Sequence, residues 1–226
     1  MEDSKLSFQK AQNGNHTYDD FAWIWKITIR DLIASLILPG AWHWLLYSSN
    51  YAENIRTMKF NKDYPAEKHL WREIPYCVST VLMGTVIEVW AMYMYSLGYF
   101  SKYYLDWQEG PWCLFLWIFF IPTWRDGHFY WVHRFMHKWN TTWIPDIGEW
   151  MYNNAHYLHH QSRNTQPWSG ISMHPIEGFI YETAAVVPCF FRHHPALINF
   201  IKIELTLSAI LGHDGHDFPG SGDWWH

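Results

Sequence analysis

At 226 residues the chain is long enough for one domain with a substantial core, or for a compact membrane domain with a cap. A formal charge of −5, with no basic cluster beyond short loops, argues against a nucleic-acid partner. Aromatics at 20% with 17 Trp, against 16% charged residues, suit a lipid–water boundary, yet the mean hydropathy of −0.23 means that membrane contact must be argued segment by segment. Three scattered cysteines, Cys77, Cys113 and Cys189, lie in apolar surroundings and read as buried thiols, not as a disulfide frame or zinc ribbon. With 15 histidines, any metal site here would be rich in nitrogen.

Residues 1–20 are polar, have no apolar signal core and predict a flexible tail. Residues 21–226 predict a single membrane-associated domain. From Phe21 to Tyr47 the chain turns apolar, interrupted by Lys26, Arg30, Asp31 and Pro39-Gly40. Its charge-free part, Leu32–Tyr47, is short for a span and predicts an interfacial or broken helix. Arg56, Lys59, Lys62, Lys68 and Arg72 then fall in a predicted loop, which the positive-inside rule places in the cytosol. Ile74–Leu97 is the strongest span candidate, 24 residues with Glu88 as its single charge. A carboxylate in lipid is costly, so Glu88 is expected to face other helices.

Residues 98–110 predict a polar connector. Trp112–Trp124 is apolar but only 13 residues long, and as a helix kinked at Pro122 it would return the chain to the cytosolic side. There a histidine-rich stretch begins. His133 and His137 stand at i and i+4; His156, His159 and His160 stand at i, i+3 and i+4. On helices each set shares a face, which makes a metal site held from within helices. Neutral imidazoles suit iron, zinc or copper. The absence of a His-Glu-x-x-His arrangement and of cysteine ligands disfavours a zincin or a structural zinc site.

Asp126, close to two turns before His133, is placed to orient a ligand imidazole through its second nitrogen. His128 lies about 140° from His133 and about 180° from His137 on a helix, so it would support a ligand or play a structural part instead of binding metal. His174 precedes a proline and stands three residues before Glu177, so capping or hydrogen bonding is at least as good a reading as ligation. Ile176–Phe191 and Ala196–Gly212 are apolar runs carrying charges, either a helical hairpin half in the membrane or the core of a cap. His193-His194-Pro195 between them reads as an exposed turn. In Gly212-His213-Asp214-Gly215-His216-Asp217, His213 could complete a metal shell and His216 could support it. Strand-like alternation is scarce, so the predicted class is all-α: transmembrane or interfacial helices with a cytosolic helical cap holding the His-rich stretch.

Four runs together are specific: Asp-x-x-x-Tyr-Trp-x-His-Arg-x-x-His, His-x-x-His-His, Pro-Trp-Ser-Gly-x-Ser-Met-His-Pro-x-Glu and His-Asp-Gly-His. Between about Trp124 and His226 the chain resembles the sterol desaturase / fatty acid hydroxylase superfamily. The resemblance implies an integral membrane enzyme with two irons, its first box at His133 and His137, its second at His156, His159 and His160, and a further ligand at His213. His226 matches the first histidine of the family's third box, whose other two would follow, so the chain is expected to be a fragment or a truncated member.

The implied reaction is oxygen-dependent desaturation or hydroxylation of a lipid or sterol in the endoplasmic reticulum, with the boxes facing the cytosol. No flavin, haem or Gly-x-Gly-x-x-Gly module is evident, so an external donor such as a cytochrome b5-type system is implied. Two other readings stay open: a truncated, non-catalytic metal-binding membrane protein of the same fold, and a soluble zinc hydrolase.

Overall fold

The computed structural model describes residues 22–97, 99–100, 111–142, 144–191 and 196–218. The predicted tail 1–20, most of the connector 98–110, the turn at 193–195 and His226 lie outside the described residues. Helices carry the fold: α1 (Ala22–His43), α2 (Asn50–Ile55), α3 (Glu67–Ser96), α4 (Pro111–Phe135), α5 (Ile147–Met151), α6 (Tyr157–His160), α7 (Pro175–Glu182) and α8 (Ala196–Gly212). Among the described residues there is no strand, only an isolated bridge between Lys59 and His216.

α1 does not break at Pro39; it runs on and then widens into a π-turn, Trp44–Ser48. Ser49 closes that turn and caps α2 by accepting from the Tyr51 amide. The predicted basic loop is shorter than expected, because α3 already begins at Glu67 and carries Lys68 and Arg72 in its first turns. Among the described residues α3 is the one helix long and apolar enough to cross a membrane, over Glu67–Tyr95. α4 passes through Pro122 as one helix and delivers His133 in its last turn.

α3 is the central post, packed along α1 on one side and α7 on another. Glycine makes the second contact close. A Cβ on Gly84 would stand 2.7 Å from Glu182 Oε2, and one on Gly178 would stand 2.9 Å from Thr80 Oγ1. Ile87, Ile121, Met173, Tyr181, Ile201 and Leu205 fill the space between α3, α4, α7 and α8. The charges in the apolar helices pair with one another, as expected for Glu88. Lys202 of α8 donates to Asp31 of α1 and, at 2.7 Å, to Glu88 of α3; Arg30 binds the same two carboxylates, and Thr85 donates to Asp31 at 2.6 Å. These bonds lock three helices in one register.

A second buried carboxylate, Glu73, anchors the loop after α6. It accepts from Ser162 Oγ (2.6 Å), Gln166 Nε2 (2.9 Å) and Ser169 Oγ (3.0 Å). Tyr47 reaches the same region from the π-turn, donating to the carbonyls of Thr165 and Asp214. The two loops that flank the histidines are thereby held by α1 and α3.

Candidate metal centre

The first histidine pair straddles the end of α4. Beyond Phe135 the chain stays in a tight turn, with the Met136 amide donating to Val132 and His133 and the His137 amide to Arg134, so His137 still lies one turn past His133. Asn140 then adopts a left-handed conformation (φ 58°), and Asp146 collects the amides of Trp139, Asn140 and Glu149. That reversal starts α5. Gly148 in its first turn lies against the His137 carbonyl, where a Cβ would come within 2.0 Å. The second set follows a π-turn, Tyr152–His156, which leads into α6 with His159 and His160. π-turns add a residue to the helical repeat and recur at functional sites.

His133, His137, His156 and His160 converge so that their ligand nitrogens all lie within 4.8 Å of one another. The Nε2 atoms of His133 and His137 are 3.0 Å apart, those of His137 and His156 3.2 Å, and those of His156 and His160 3.0 Å. An ion bound at ~2.1 Å would set neighbouring ligand atoms ~3.0–3.4 Å apart, so the four nitrogens fit one cation. Protonated imidazoles could not crowd in this way. Burial and the neighbouring rings pull His160 down to about 4, and burial takes His156 to about 4, so both are neutral with lone pairs to offer.

His159 and His213 form an adjoining pair, their rings 5.3 Å apart and His159 stacked 5.9 Å from His156. His213 donates Nδ1–H to the Ala209 carbonyl at 3.0 Å, which leaves Nε2 as its lone-pair atom. His159 Nδ1 is buried without a hydrogen-bond partner. An orphaned buried nitrogen beside a second imidazole fits a further ligand position. Six of the seven histidines singled out by sequence thus gather in one place; His226 is outside the described residues.

The orienting carboxylate is not Asp126. Its side chain is 58% exposed and paired at 2.9 Å with Arg125, which also binds Glu204 at 3.0 Å. Glu177 holds the role instead: its Oε1 lies 2.6 Å from Nδ1 of the fully buried His156. Burial raises the Glu177 carboxyl to about 8. With Nδ1–H given to Glu177, the Nε2 of His156 is directed at the other three histidines. His174 caps α7 by accepting from the Ile176 amide and so sets the helix that presents Glu177. A carboxylate three residues past a capping His-Pro was the available signal, since it returns to the first turn of the next helix.

The other supporting candidates lie elsewhere. His128 Nε2 meets Thr183 Oγ1 at 3.1 Å, on the face of α4 turned towards the residues after α7. His216 packs edge-on to Tyr47 at 5.3 Å and bridges to Lys59. Beside the histidines, α4, α7 and α8 enclose a cavity of about 220 Å³ lined by His133, His159 and His213 together with Phe129, Met173 and Tyr181.

The family model for fatty acid hydroxylase matches residues 117–226, the part that holds all of these histidines. Lathosterol oxidase of Homo sapiens is 26% identical over 148 residues, which cover 64% of this chain and 46% of that protein. Delta(7)-sterol 5(6)-desaturase of Gibberella zeae is 28% identical over 99 residues, 42% of this chain and 27% of that protein. In both cases the chain spans less than half of its relative's length. No solved structure matches the chain. With histidine boxes that converge in space and a family match over the same residues, residues 117–226 are similar to the fatty acid hydroxylase family, and the chain is similar to sterol desaturases and oxidases.

Proposed function

We propose that the chain is a membrane-bound, oxygen-dependent lipid C–H oxidase of the sterol desaturase or hydroxylase type, acting in sterol or lipid biosynthesis. Two irons would be held by His133, His137, His156, His159, His160, His213 and His226. The observation that carries this reading is the convergence of four neutral Nε2 atoms, one of them aimed by the buried Glu177, next to a cavity whose lining combines Phe129, Met173 and Tyr181 with Arg125 and Ser208. Bound iron would supply the redox chemistry that lets dioxygen remove hydrogen from an unactivated carbon.

The chain's own residues do the rest. Glu177 keeps His156 in one tautomer and one orientation. Phe129, Met173 and Tyr181 wall the space beside His133, His159 and His213, excluding water and holding an apolar substrate against the centre. Electrons would come from an external donor such as a cytochrome b5-type system. Support for a cytosolic centre comes from Arg72 near the start of α3, which donates to Ser162 at 2.8 Å in the loop after the second box, so the histidines share the end of α3 that carries the basic residues. The endoplasmic reticulum membrane suits a sterol-acting enzyme of this topology.

The test uses full-length protein in detergent, reconstituted anaerobically with ferrous iron, then given dioxygen, a reductant and candidate sterols or fatty acids. About two irons per chain and a product that has lost two hydrogens or gained one oxygen are expected. Less than one iron per chain, or tight zinc in a protein that needs no detergent, refutes the reading.

A further inference from the structure

A larger cavity, about 340 Å³, lies between α1 and α8. Asn199, Lys202, Ile203 and Thr206 line it from α8, whereas Ser208, Ala209 and Gly212 line the histidine cavity. At about 100° per residue these two sets occupy faces of α8 about 120° apart, so the helix stands between the two spaces. Nothing in the proposed reaction uses the larger one.

Its chemistry is that of an amphiphile site: mostly apolar walls with a few polar groups gathered at one end. Ile33 and Ile37 of α1 and Ile203 of α8 form the walls and are 51%, 59% and 53% exposed, so the cleft opens sideways from the bundle. At the polar end Arg30 donates to Asn199 Oδ1 at 2.8 Å, above Asp31 and Lys202, which are at least nine-tenths buried. The two cations Arg30 and Lys202 are balanced there by Asp31 and Glu88. Because this set is already balanced, a charged headgroup of either sign would find no unmatched partner there. A hydroxyl fits better, since it accepts from a guanidinium and donates to an amide or carboxylate oxygen without adding charge.

The walls also select for shape. Isoleucine is stiff at χ1, and Ala34 and Ser35 between the isoleucines leave a shallow floor. Against a stiff surface, a rigid ring system gives up less conformational freedom than a flexible chain. We propose that the α1–α8 cleft binds an intact sterol, its hydroxyl at the Arg30–Asn199 end and its rings along Ile33, Ile37 and Ile203, as a site separate from the histidine cavity. Such a sterol bridges α1 and α8 and stabilises the fold from the membrane side.

The experiment places the full-length protein in phosphatidylcholine nanodiscs with a photoreactive cholesterol carrying a diazirine, and maps the labelled peptides by mass spectrometry. Saturable labelling is expected within residues 33–38 and 199–206, displaced by cholesterol but not by cholesterol sulfate or phosphatidylserine. Ile37→Trp and Ile203→Trp fill the cleft from half-exposed positions and should cut that labelling roughly tenfold, a change of one decade in affinity, while helicity by circular dichroism is kept. His160→Ala should leave it unchanged. Labelling confined to the histidine cavity, equal displacement by the charged lipids, indifference to both Trp substitutions, or exclusion of the probe by residues 1–21 each overturns the proposal. Because the readout is binding, an inactive enzyme with a labelled cleft sinks only the proposed reaction, and an active enzyme with an unlabelled cleft sinks only the sterol site.

Discussion

Removing the carboxylate of Glu177 should weaken the metal centre without dismantling the cluster of imidazoles. Glu177 is 2% exposed, its Oε1 lies 2.6 Å from His156 Nδ1, and no other hydrogen-bond partner reaches Oε2. In Glu177→Ala the His156 ring loses its only carboxylate and is free to rotate or to change tautomer. Loss of such a partner typically lowers metal affinity about 10–100-fold, which corresponds to about 1.4–2.7 kcal/mol. Glu177→Gln keeps an oxygen that can accept from His156 Nδ1–H, so a smaller loss is expected. Affinity is measured by anaerobic chelator competition with ferrous iron, on protein shown to be folded by circular dichroism.

A double-mutant cycle separates positioning from general destabilisation. If Glu177 acts through His156, then His156→Ala and His156→Ala/Glu177→Ala should bind metal equally weakly. Iron affinity of Glu177→Ala within about twofold of the parent, or additive losses in the double variant, would refute the orienting role.

Gly148→Ala should separate the two histidine sets, because the new Cβ would lie 2.0 Å from the His137 carbonyl and 2.6 Å from Trp139 Nε1. About 3 kcal/mol of stability is expected to go with it, and retention of both the melting temperature and metal content would show that the turn yields. Lys202→Met leaves Asp31 and Glu88 buried with less compensation and should cost about 3–5 kcal/mol, measured by denaturation in detergent. A companion variant that also carries Asp31→Asn and Glu88→Gln should recover much of that loss; if it does not, packing rather than charge is the cause. Burial raises the Glu182 carboxyl from 4.5 to about 8, with Lys202 partly offsetting it. The unfolded chain therefore ionises first, and stability is full below about pH 4.5 and falls as pH rises towards 8. Glu182→Gln should flatten melting temperature against pH over that window, and parallel curves for the two proteins would count against a neutral buried acid.

Sequence alone determined which imidazoles share a face, because spacings of three and four residues are set by local backbone geometry, and a tight turn keeps the relation between His133 and His137 even where α4 has formally ended. It also determined that Glu88 must find partners inside the bundle, since an apolar helix offers an ionised carboxylate nothing else. The supporting groups were another matter. Asp126 stands close to two turns before His133 on α4, but Arg125, which also binds Glu204, takes its carboxylate. Glu177 reaches His156 across 21 residues, and Glu73 holds the intervening loop from 89 or more residues away. Such pairings depend on the close packing of α3 on α7 that Gly84 and Gly178 permit, which no local pattern encodes. His216 shows the same limit: its place beside His213 in sequence suggests the centre, yet the Lys59 bridge and Tyr47 hold it elsewhere. The spacing of donors along a helix is written in the chain; the carboxylates that aim them belong to whichever helices the fold brings alongside.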